Sequence, residues 1–183
     1  MDDLLIRPAE PRDAAALAEI YAPSVRERPT SFELDAPDTA EMAQRLARVS
    51  AMWPWLAAES GGELLGYCYA SAFAERAAYR WSVTTTVYVR DAAQRRGLGR
   101  ALYQRLFEIL RRQGAVMAFA GITLPNEASV GLHRALGFAP VGVYPRAGFK
   151  LGRWWDVAWF GLALRELRDD EPPGELRPWR EAG

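Results

Sequence analysis

The sequence is poor in the residues on which disulfide and metal chemistry depend. Its 183 residues include one cysteine, Cys68, and one histidine, His133. A lone cysteine cannot close a disulfide within the chain, and a zinc site built from cysteine and histidine needs more of both. We therefore expect neither a disulfide scaffold nor a bound metal.

A charge excess and long apolar runs are missing as well. Acidic and basic side chains number 23 each, so the formal net charge is zero, whereas nucleic-acid-binding proteins usually carry a strong basic excess. No segment approaches the ~18 consecutive apolar residues of a membrane span. The opening residues MDDLLIRPAEP lack the basic and apolar regions of a signal peptide. These absences predict a soluble cytoplasmic protein whose partners include neither nucleic acid nor membrane.

The composition is that of a single folded domain. Half of the residues are hydrophobic, which is enough for a full-sized core. We assign residues 1–168 to this domain and 169–183 to a polar tail with the composition of an arm. The order β-α-α-β-β-β-α-β-α-β-β indicates an α/β domain around one mixed sheet. The predicted strands cover 4–8, 55–59, 63–70, 80–89, 116–124, 140–144 and 155–164, and the helices begin near Asp13, Thr39, Leu98 and Asn126.

A turn rich in arginine and glycine, QRRGLGRA at 94–101, joins the fourth predicted strand to the third predicted helix. Gly97 and Gly99 permit positive φ and a close approach of the backbone to a ligand. The first amides of a helix have no partner within it, and the helix dipole favours an anion there. Arg95, Arg96 and Arg100 add positive charge for phosphate. The strand before and the helix after favour a phosphate site over a solvated surface turn.

Two common nucleotide-binding loops do not match this turn. Leu102 replaces the third glycine of a dinucleotide fingerprint, and no ribose-binding acid follows at the expected distance. The Gly-Lys-Ser/Thr ending of a triphosphate loop is missing too. The turn therefore predicts a different phosphate-bearing ligand.

The turn resembles the acyl-coenzyme A signature of the GNAT N-acetyltransferases, Gln/Arg-x-x-Gly-x-Gly/Ala, which here runs from Gln94 or Arg95 to Gly99. A second family pattern, Asn-x-x-Ala-x-x-x-Tyr-x-x-x-Gly-Phe, is similar to NEASVGLHRALGF, in which serine and histidine are substitutions. The two motifs stand in the family's order, one strand apart. The residues that match the second motif are Asn126, Ser129, His133, Gly137 and Phe138.

This resemblance implies a GNAT fold, a single mixed and mostly antiparallel sheet flanked by helices, whose two central strands splay apart. It also implies acetyl-CoA as co-substrate. The pantetheine arm would pair like a strand onto the backbone of Val87 and Val89, and the loop amides would hold the pyrophosphate. The residues that the resemblance assigns to the cofactor are Val87, Tyr88, Val89, Gln94, Arg95, Arg96, Gly97, Leu98, Gly99, Arg100, Ala101, Asn126 and Ser129.

Longer segments resemble one branch of the family, the phosphinothricin acetyltransferases. They are WPWLAAE, RAAYRW, LPNEASVGLHRALGFAPVG and RAGFKLGRWWDV, within a likeness that covers most of the chain from Phe32 to Leu164. That branch acetylates the α-amino group of phosphinothricin, methionine sulfoximine and methionine sulfone, and its members usually form homodimers. The resemblance therefore implies a small-molecule amine substrate and a homodimer.

A small zwitterionic substrate needs a cation for its acidic group and an apolar wall for its side chain. Arg76, Tyr79 and Arg80 stand where the branch keeps such groups, and Phe32 and Phe149 are candidate walls. The alternative for each arginine is a solvated surface charge.

Acetyl transfer to an amine needs removal of the ammonium proton, stabilisation of the thioester oxygen and a proton for the departing thiolate. His133 occupies the position at which other GNAT enzymes carry a tyrosine acid, which implies that it protonates the thiolate. A helix histidine satisfied by the core or by solvent is the alternative.

The strand before the turn lacks the glutamate of the branch. Its members typically read Trp-x-x-Glu-x-x-Val-Tyr-Val, and after Trp81 this chain has Thr84 in the glutamate position. A threonine hydroxyl cannot act as a base near neutral pH, although it can hold a water. Thr84, Thr86 and Tyr88 share one face of the strand because side chains alternate. We therefore predict a hydroxyl-lined water path that includes Thr84 and Tyr88.

The missing glutamate leaves three explanations open. A carboxylate from elsewhere can act through water, and Glu33, Glu75 and Asp156 are the candidates. The acceptor can instead be an amine of lower pKa, which needs less help. The third explanation is a GNAT-like protein that binds acyl-CoA with weak or no catalysis. Within the enzyme class, a peptide or protein N-terminus is an alternative acceptor.

Overall fold

The secondary structure follows the order that the sequence predicts. A computed structural model describes residues 3–166, 168, 170 and 172–181. Its strands are β1 (Leu5–Pro8), β2 (Trp55–Ser60), β3 (Glu63–Ala72), β4 (Ser82–Val89), β5 (Met117–Leu124), β6 (Ala139–Lys150) and β7 (Arg153–Ala163). Its helices are α1 (Ala14–Arg26), α2 (Thr39–Ser50), α3 (Leu98–Gln113) and α4 (Glu127–Ala135). None of the helices in this described part combines the length and the apolar character that a membrane crossing requires.

The strands form one sheet in the order β1-β2-β3-β4-β5-β7-β6. Every neighbouring pair is antiparallel except β4 and β5, which run parallel. The prediction of a single mixed and mostly antiparallel sheet is therefore confirmed.

The two central strands separate after a short stretch of pairing. β4 and β5 pair only through Ser82 with Met117, Val83 with Ala118 and Thr84 with Phe119. On its other side, β4 stays paired with β3 as far as Val89. The part of β4 beyond Thr84 therefore has an open edge toward β5, which confirms the predicted splay.

Helices cover both faces of the sheet. On one face, Leu102, Leu106 and Leu110 of α3 pack with Val83 of β4 in the larger hydrophobic cluster. On the other face, α1 and α2 cover Trp55, Ala57 and Tyr67 in a second cluster. Because side chains alternate along a strand, Val83 and Thr85 face α3, whereas Thr84 and Thr86 face α1 and α2.

The last two strands are longer than the sequence predicts. Proline and glycine between Tyr144 and Lys150 suggest a loop, but β6 continues to Lys150 and pairs with β7 to the end of the hairpin. Shifts of register at Pro140/Gly142 and Tyr144/Gly148 absorb the residues that do not fit a regular ladder. Such bulges let an irregular sequence stay within a strand.

The tail contacts the domain in a way that its polar composition does not indicate. Trp179 is buried, and its indole Nε1 donates to the Ser50 carbonyl oxygen at 3.0 Å. The Arg177 amide donates to the Gln113 carbonyl oxygen at 3.1 Å. The boundary between 168 and 169 stays a prediction, but one aromatic side chain fixes this arm against α2 and α3.

Candidate active site

A cleft of about 1400 Å³ follows the open edge of β4. Its walls are residues of β4 and β5, the turn before α3, α4, and the second half of α1. All the residues that the sequence assigns to the cofactor line it, except Arg96 and Ala101. The Ala101 amide already donates to the Gly97 carbonyl oxygen at 3.0 Å within the helix, and Arg96 is exposed.

The backbone of β4 directs unpaired groups into this cleft. The Arg90 amide donates to the carbonyl oxygen of Leu65 in β3 at 2.8 Å. Backbone groups alternate in direction along a strand, so the amides of Val87 and Val89 point away from β3, toward the side that β5 leaves open. These are the two residues to which the sequence assigns strand-like pairing with a ligand.

The turn between β4 and α3 has the conformation that an anion site requires. Gly97 is the N-cap of α3 with φ +79°, and Arg95 has φ +59°. A Cβ atom at Gly99 would lie 3.2 Å from Cδ2 of Leu132 on α4, so glycine lets the two helices approach. The first amides of α3 therefore face the cleft together with Arg95 and Arg100, which supply positive charge.

His133 is buried on the α3 side of the sheet. Its Nδ1 lies 2.8 Å from the Ser129 carbonyl oxygen, and its Nε2 lies 3.3 Å from the Tyr103 hydroxyl. Burial lowers the pKa of His133, and the contact with the Ser129 backbone only partly offsets this. His133 lines the cleft as a neutral imidazole with both ring nitrogens in contact with protein groups.

The threonine face of β4 lies on the opposite side of the sheet. Tyr88 packs edge-on against Tyr21 of α1, with ring centroids 4.9 Å apart, and Thr86 lies directly opposite Tyr69 of β3. Thr84 lies directly opposite Ser71 of β3. The predicted catalytic residues His133 and Thr84 therefore do not meet, because the sheet separates them.

The three carboxylates proposed as bases do not line the cleft. Glu33 accepts hydrogen bonds from the Tyr21 hydroxyl at 2.9 Å and from both terminal nitrogens of Arg45, at 2.7 and 2.9 Å. Partial burial pushes the pKa of Glu33 upward, but the Arg45 and Tyr21 contacts outweigh it and the pKa lies below its ordinary value. Asp156 is exposed and accepts from the Arg146 amide, and Glu75 is exposed.

The predicted substrate residues are exposed and do not line the cleft. The Arg80 guanidinium lies over the Trp81 ring at 4.5 Å, and Phe149 packs against Trp154 near the end of the β6–β7 hairpin. The Phe32 ring covers Gly148 so closely that a Cβ there would lie 2.5 Å from it. The chain therefore places Phe32 against Gly148, the residue before Phe149.

Two buried residues of the cleft escape the sequence reasoning. Tyr103 contacts His133, and burial raises the pKa of its hydroxyl well above the ordinary value. The Thr85 hydroxyl donates to the Phe119 carbonyl oxygen at 3.3 Å, one residue beyond the last β4–β5 pair. A hydroxylated side chain among the leucines of α3 is the only signal that the sequence gives for Tyr103. In the part of the chain that the structure describes, no three His, Cys, Asp or Glu side chains cluster as around a metal ion.

Comparisons with known proteins agree with this geometry. Residues 6–159 match the family model "Acetyltransferase (GNAT) domain". The phosphinothricin N-acetyltransferase of Streptomyces viridochromogenes is 38% identical over 173 residues, which cover 94% of this chain and 93% of that protein. The L-methionine sulfoximine/L-methionine sulfone acetyltransferase of Salmonella typhimurium is 36% identical over 164 residues, 89% of this chain and 96% of that protein.

A solved structure extends the similarity to three dimensions. The GNAT superfamily phosphinothricin acetyltransferase of Sinorhizobium meliloti, in complex with acetyl-CoA, superimposes with a TM-score of 0.90 at 34% identity and covers 96% of each chain. The sheet with its splayed central strands, the glycine turn and the match over most of the chain lead to one conclusion. The protein belongs to the GNAT acetyltransferase family.

Proposed function

We propose that this protein transfers the acetyl group of acetyl-CoA to the amino group of a small amino acid or amino-acid analogue of the phosphinothricin or methionine sulfoximine type. The observation that carries the proposal is the open edge of β4, which continues into the glycine turn within one cleft. The two relatives named above support the amino-acid acceptor, since one is a phosphinothricin N-acetyltransferase and the other an L-methionine sulfoximine/L-methionine sulfone acetyltransferase.

The residues of the cleft fit acetyl-CoA, which supplies an activated acetyl thioester when bound. The amides of Val87 and Val89 offer strand-like hydrogen bonds to the amide groups of its arm. The first amides of α3, with Arg95 and Arg100, provide an anion site for its pyrophosphate. Gly97 provides the positive φ at the N-cap that leaves the first amides of α3 free for that pyrophosphate.

Two groups are proposed to act on opposite sides of the sheet. The Tyr103–His133 pair stabilises the departing thiolate: the Tyr103 hydroxyl, which burial keeps protonated, turns from Nε2 of His133 and donates a hydrogen bond to the sulfur, and the thiolate takes its proton from solvent in the cleft. Thr84 and Thr86 order water on the other face, through which the acceptor ammonium loses its proton. Of the candidate carboxylates, Glu33 is paired with Arg45 and Glu75 and Asp156 are exposed, so the final proton acceptor is bulk solvent.

We also propose that the protein is a cytoplasmic homodimer. β6 is an edge strand of the sheet. Three of its apolar side chains are each more than half exposed: Val141, Val143 and Tyr144. Exposed apolar residues on an edge strand favour association with another chain. Val143→Glu should produce a monomer in light scattering, and an unchanged dimer would contradict this placement of the interface.

Thiol release from acetyl-CoA tests the activity directly. The acceptors are phosphinothricin, methionine sulfoximine, methionine sulfone and common amino acids, each from neutral to alkaline pH. We expect turnover with the amino-acid analogues and a rate that rises with pH as solvent deprotonates the amine. Binding of acetyl-CoA without turnover of any of these amines would contradict the proposed function.

A further inference from the structure

The chain has one lysine, Lys150, and the structure buries it. Lys150 is the last residue of β6 and is 5% exposed. Its Nζ donates to the Ser31 carbonyl oxygen at 2.6 Å and to the Ser24 carbonyl oxygen at 3.2 Å, and the Glu33 carboxylate attracts it electrostatically. A buried charge is unfavourable unless such contacts compensate it. Lys150 is therefore held in place by groups that lie more than a hundred positions away in the chain.

The two carbonyl groups belong to the end of α1 and to the segment that follows it. Ser24 lies in the last turn of α1, where carbonyl groups lack partners within the helix and the helix dipole favours a cation. Ser31 lies five residues beyond the last residue of α1, Arg26. Lys150 therefore caps α1 from another element and joins the helix end to residues 27–31, which we call the α1 turn.

The α1 turn forms one wall of the cleft. Its residues Arg28 and Thr30 both line the cleft. Arg28 Nη1 donates to Asp91 Oδ1 at 2.9 Å, and Asp91 Oδ1 also accepts from Gln94 Nε2 at 2.9 Å. The α1 turn thus connects Lys150 to the residues that precede the glycine turn.

The contacts that hold the α1 turn differ in strength. The Arg28 and Asp91 side chains are 38% and 62% exposed, and exposed ion pairs contribute little. The Tyr21 hydroxyl lies 2.6 Å from the Ser31 Oγ, a buried hydrogen bond between neutral groups. The hydrogen bonds of Lys150 are buried and charge-assisted, and such bonds are roughly twice as strong as neutral ones. Loss of Lys150 should therefore free the α1 turn more than loss of either other contact.

We propose that Lys150 is a positioning residue, which holds the α1 turn in place as the wall against which acetyl-CoA binds. This inference rests on the proposed function and adds to it a residue that does not line the cleft. Lys150 contacts no ligand and acts through Arg28 and Thr30. A wall that is already ordered spares the ligand the cost of ordering it. If the wall is in place in only about a tenth of the molecules, the apparent Kd rises about tenfold.

Lys150→Met tests this inference because it removes the charge and the donors and keeps an unbranched side chain. We expect Kd for acetyl-CoA in calorimetric titration to rise about tenfold. With saturating acetyl-CoA and amine, kcat should change less than about threefold, since the bound cofactor orders the wall again. An unchanged Kd for acetyl-CoA would overturn the proposal.

Arg7→Met is the matched control, because Arg7 holds the other end of α1. The two terminal nitrogens of Arg7 donate to the Asp13 carboxylate at 2.7 and 2.9 Å, just before Ala14, and neither residue of this pair lines the cleft. Both variants should unfold at lower urea concentration than the wild type, since each loses charged hydrogen bonds. Only Lys150→Met should bind acetyl-CoA more weakly. An equal rise of Kd in both variants would assign the effect to destabilisation of α1 and overturn the proposal.

The wild type provides a second test that needs no substitution. Lys150 is the only side-chain amine and Cys68 the only thiol, and Cys68 is fully buried in β3. Modification of Lys150 by trinitrobenzenesulfonate, located by peptide mass spectrometry, reports opening of the α1 turn, whereas modification of Cys68 by a maleimide reports opening of the core. Relative to the unfolded chain, Lys150 should react faster than Cys68, and acetyl-CoA at one hundred times Kd should slow its reaction about a hundredfold.

Two results of this second test would overturn the proposal. One is a relative rate at Lys150 equal to that at Cys68, because the α1 turn would then open only with the core. The other is a rate at Lys150 that acetyl-CoA does not change, because the opening would then leave the cleft intact.

The failure of this inference is distinguishable from that of the proposed function. If no amine is acetylated but Kd for acetyl-CoA rises in Lys150→Met alone, the proposed function fails and the role of Lys150 stands. If amines are acetylated while Lys150→Met binds acetyl-CoA as the wild type does, the inference on Lys150 fails alone.

Discussion

The Tyr103 hydroxyl lies 3.3 Å from Nε2 of His133, while Nδ1 of the same ring lies 2.8 Å from the Ser129 carbonyl oxygen. A carbonyl oxygen only accepts hydrogen bonds, so Nδ1 carries the proton and Nε2 accepts from Tyr103. The neutral ring therefore has no proton on Nε2 to give. The proposed action on the thiolate therefore depends on the Tyr103 hydroxyl, which is the donor in this contact.

Replacement of Tyr103 by phenylalanine should lower kcat roughly 10- to 100-fold, the range for loss of one hydrogen bond to a charged group. The ring and its stacking on Phe107 are kept, so KM for acetyl-CoA should change less than about threefold. Steady-state kinetics with a saturating amine measure both values. A kcat equal to that of the wild type at every pH would exclude Tyr103 from stabilisation of the thiolate.

Stability should depend on pH through His133. Burial lowers its pKa in the folded state, whereas the unfolded chain titrates near 6.5. Below about pH 6.5 the unfolded state binds a proton that the folded state does not, so the free energy of unfolding falls as the pH drops toward the folded-state pKa. One such group gives a slope of up to about 1.4 kcal/mol per pH unit.

The variant His133→Gln should lack this slope in urea unfolding between about pH 5.5 and 7. Carboxylates such as Glu33, whose pKa is lowered, titrate below this pH range and change the free energy of unfolding equally in both proteins. The same slope in both proteins would mean that His133 titrates normally in the folded state.

A carboxylate restored at position 84 should accelerate the reaction. Thr84→Glu places a base on the threonine face, next to Ser71, and we expect kcat/KM at neutral pH to rise about tenfold or more. Thr84→Gln is the control, because it has the same shape without the charge. If the two variants have equal rates, or if the wild type already shows no rise in rate with pH, the base must lie elsewhere.

The glycine turn can be tested apart from its contribution to folding. Gly97→Ala and Gly61→Ala both place a side chain at positive φ with no atom within 4 Å of the new Cβ. Each should cost about 1 kcal/mol of stability. Only Gly97→Ala should raise KM for acetyl-CoA, by about tenfold, because hydrogen bonds to charged groups have that magnitude. Equal KM values in the two variants would place the pyrophosphate away from the turn.

The C-terminal arm should contribute to stability and not to catalysis. A chain that ends at Arg177 lacks Trp179 and its hydrogen bond to Ser50, and we expect about 3 kcal/mol less stability, as for loss of a buried tryptophan. A chain that ends at Arg180 keeps Trp179 and should unfold like the wild type. Thermal and urea unfolding measure the difference, and equal stability of the two truncated chains would show that Trp179 contributes little.

Local pattern was enough to predict most of the fold. The order of elements, the ends of α3 at Gly97 and Gly114 and the N-cap at Asn126 follow from capping and periodicity. The long β6–β7 hairpin was not predicted, because Pro145 and Gly148 are tolerated there only by shifts of register against β7. Trp179 was assigned to an arm because its neighbours are polar, and its contact with Ser50 lies 129 positions away in the chain.

The site was predicted only where it depends on local sequence. The glycine turn and β4 offer backbone groups to the ligand, so the sequence pattern of these two segments was enough to predict the cleft. Tyr103 lines the cleft through a tertiary contact with His133 that no local pattern indicates. The face on which Thr84 lies follows from alternation, but its separation from His133 depends on which helices cover each face.

A β-sheet usually has two edges with unpaired backbone groups. This sheet has a third edge in its interior, where β4 separates from β5 after Thr84. A ligand that hydrogen-bonds along Val87 and Val89 acts there as an eighth strand. Binding and folding are then linked: at a free ligand concentration of one hundred times Kd, the folded state gains about 2.7 kcal/mol. In a cell, the supply of acetyl-CoA would thus govern how long each molecule of this protein survives unfolding and proteolysis.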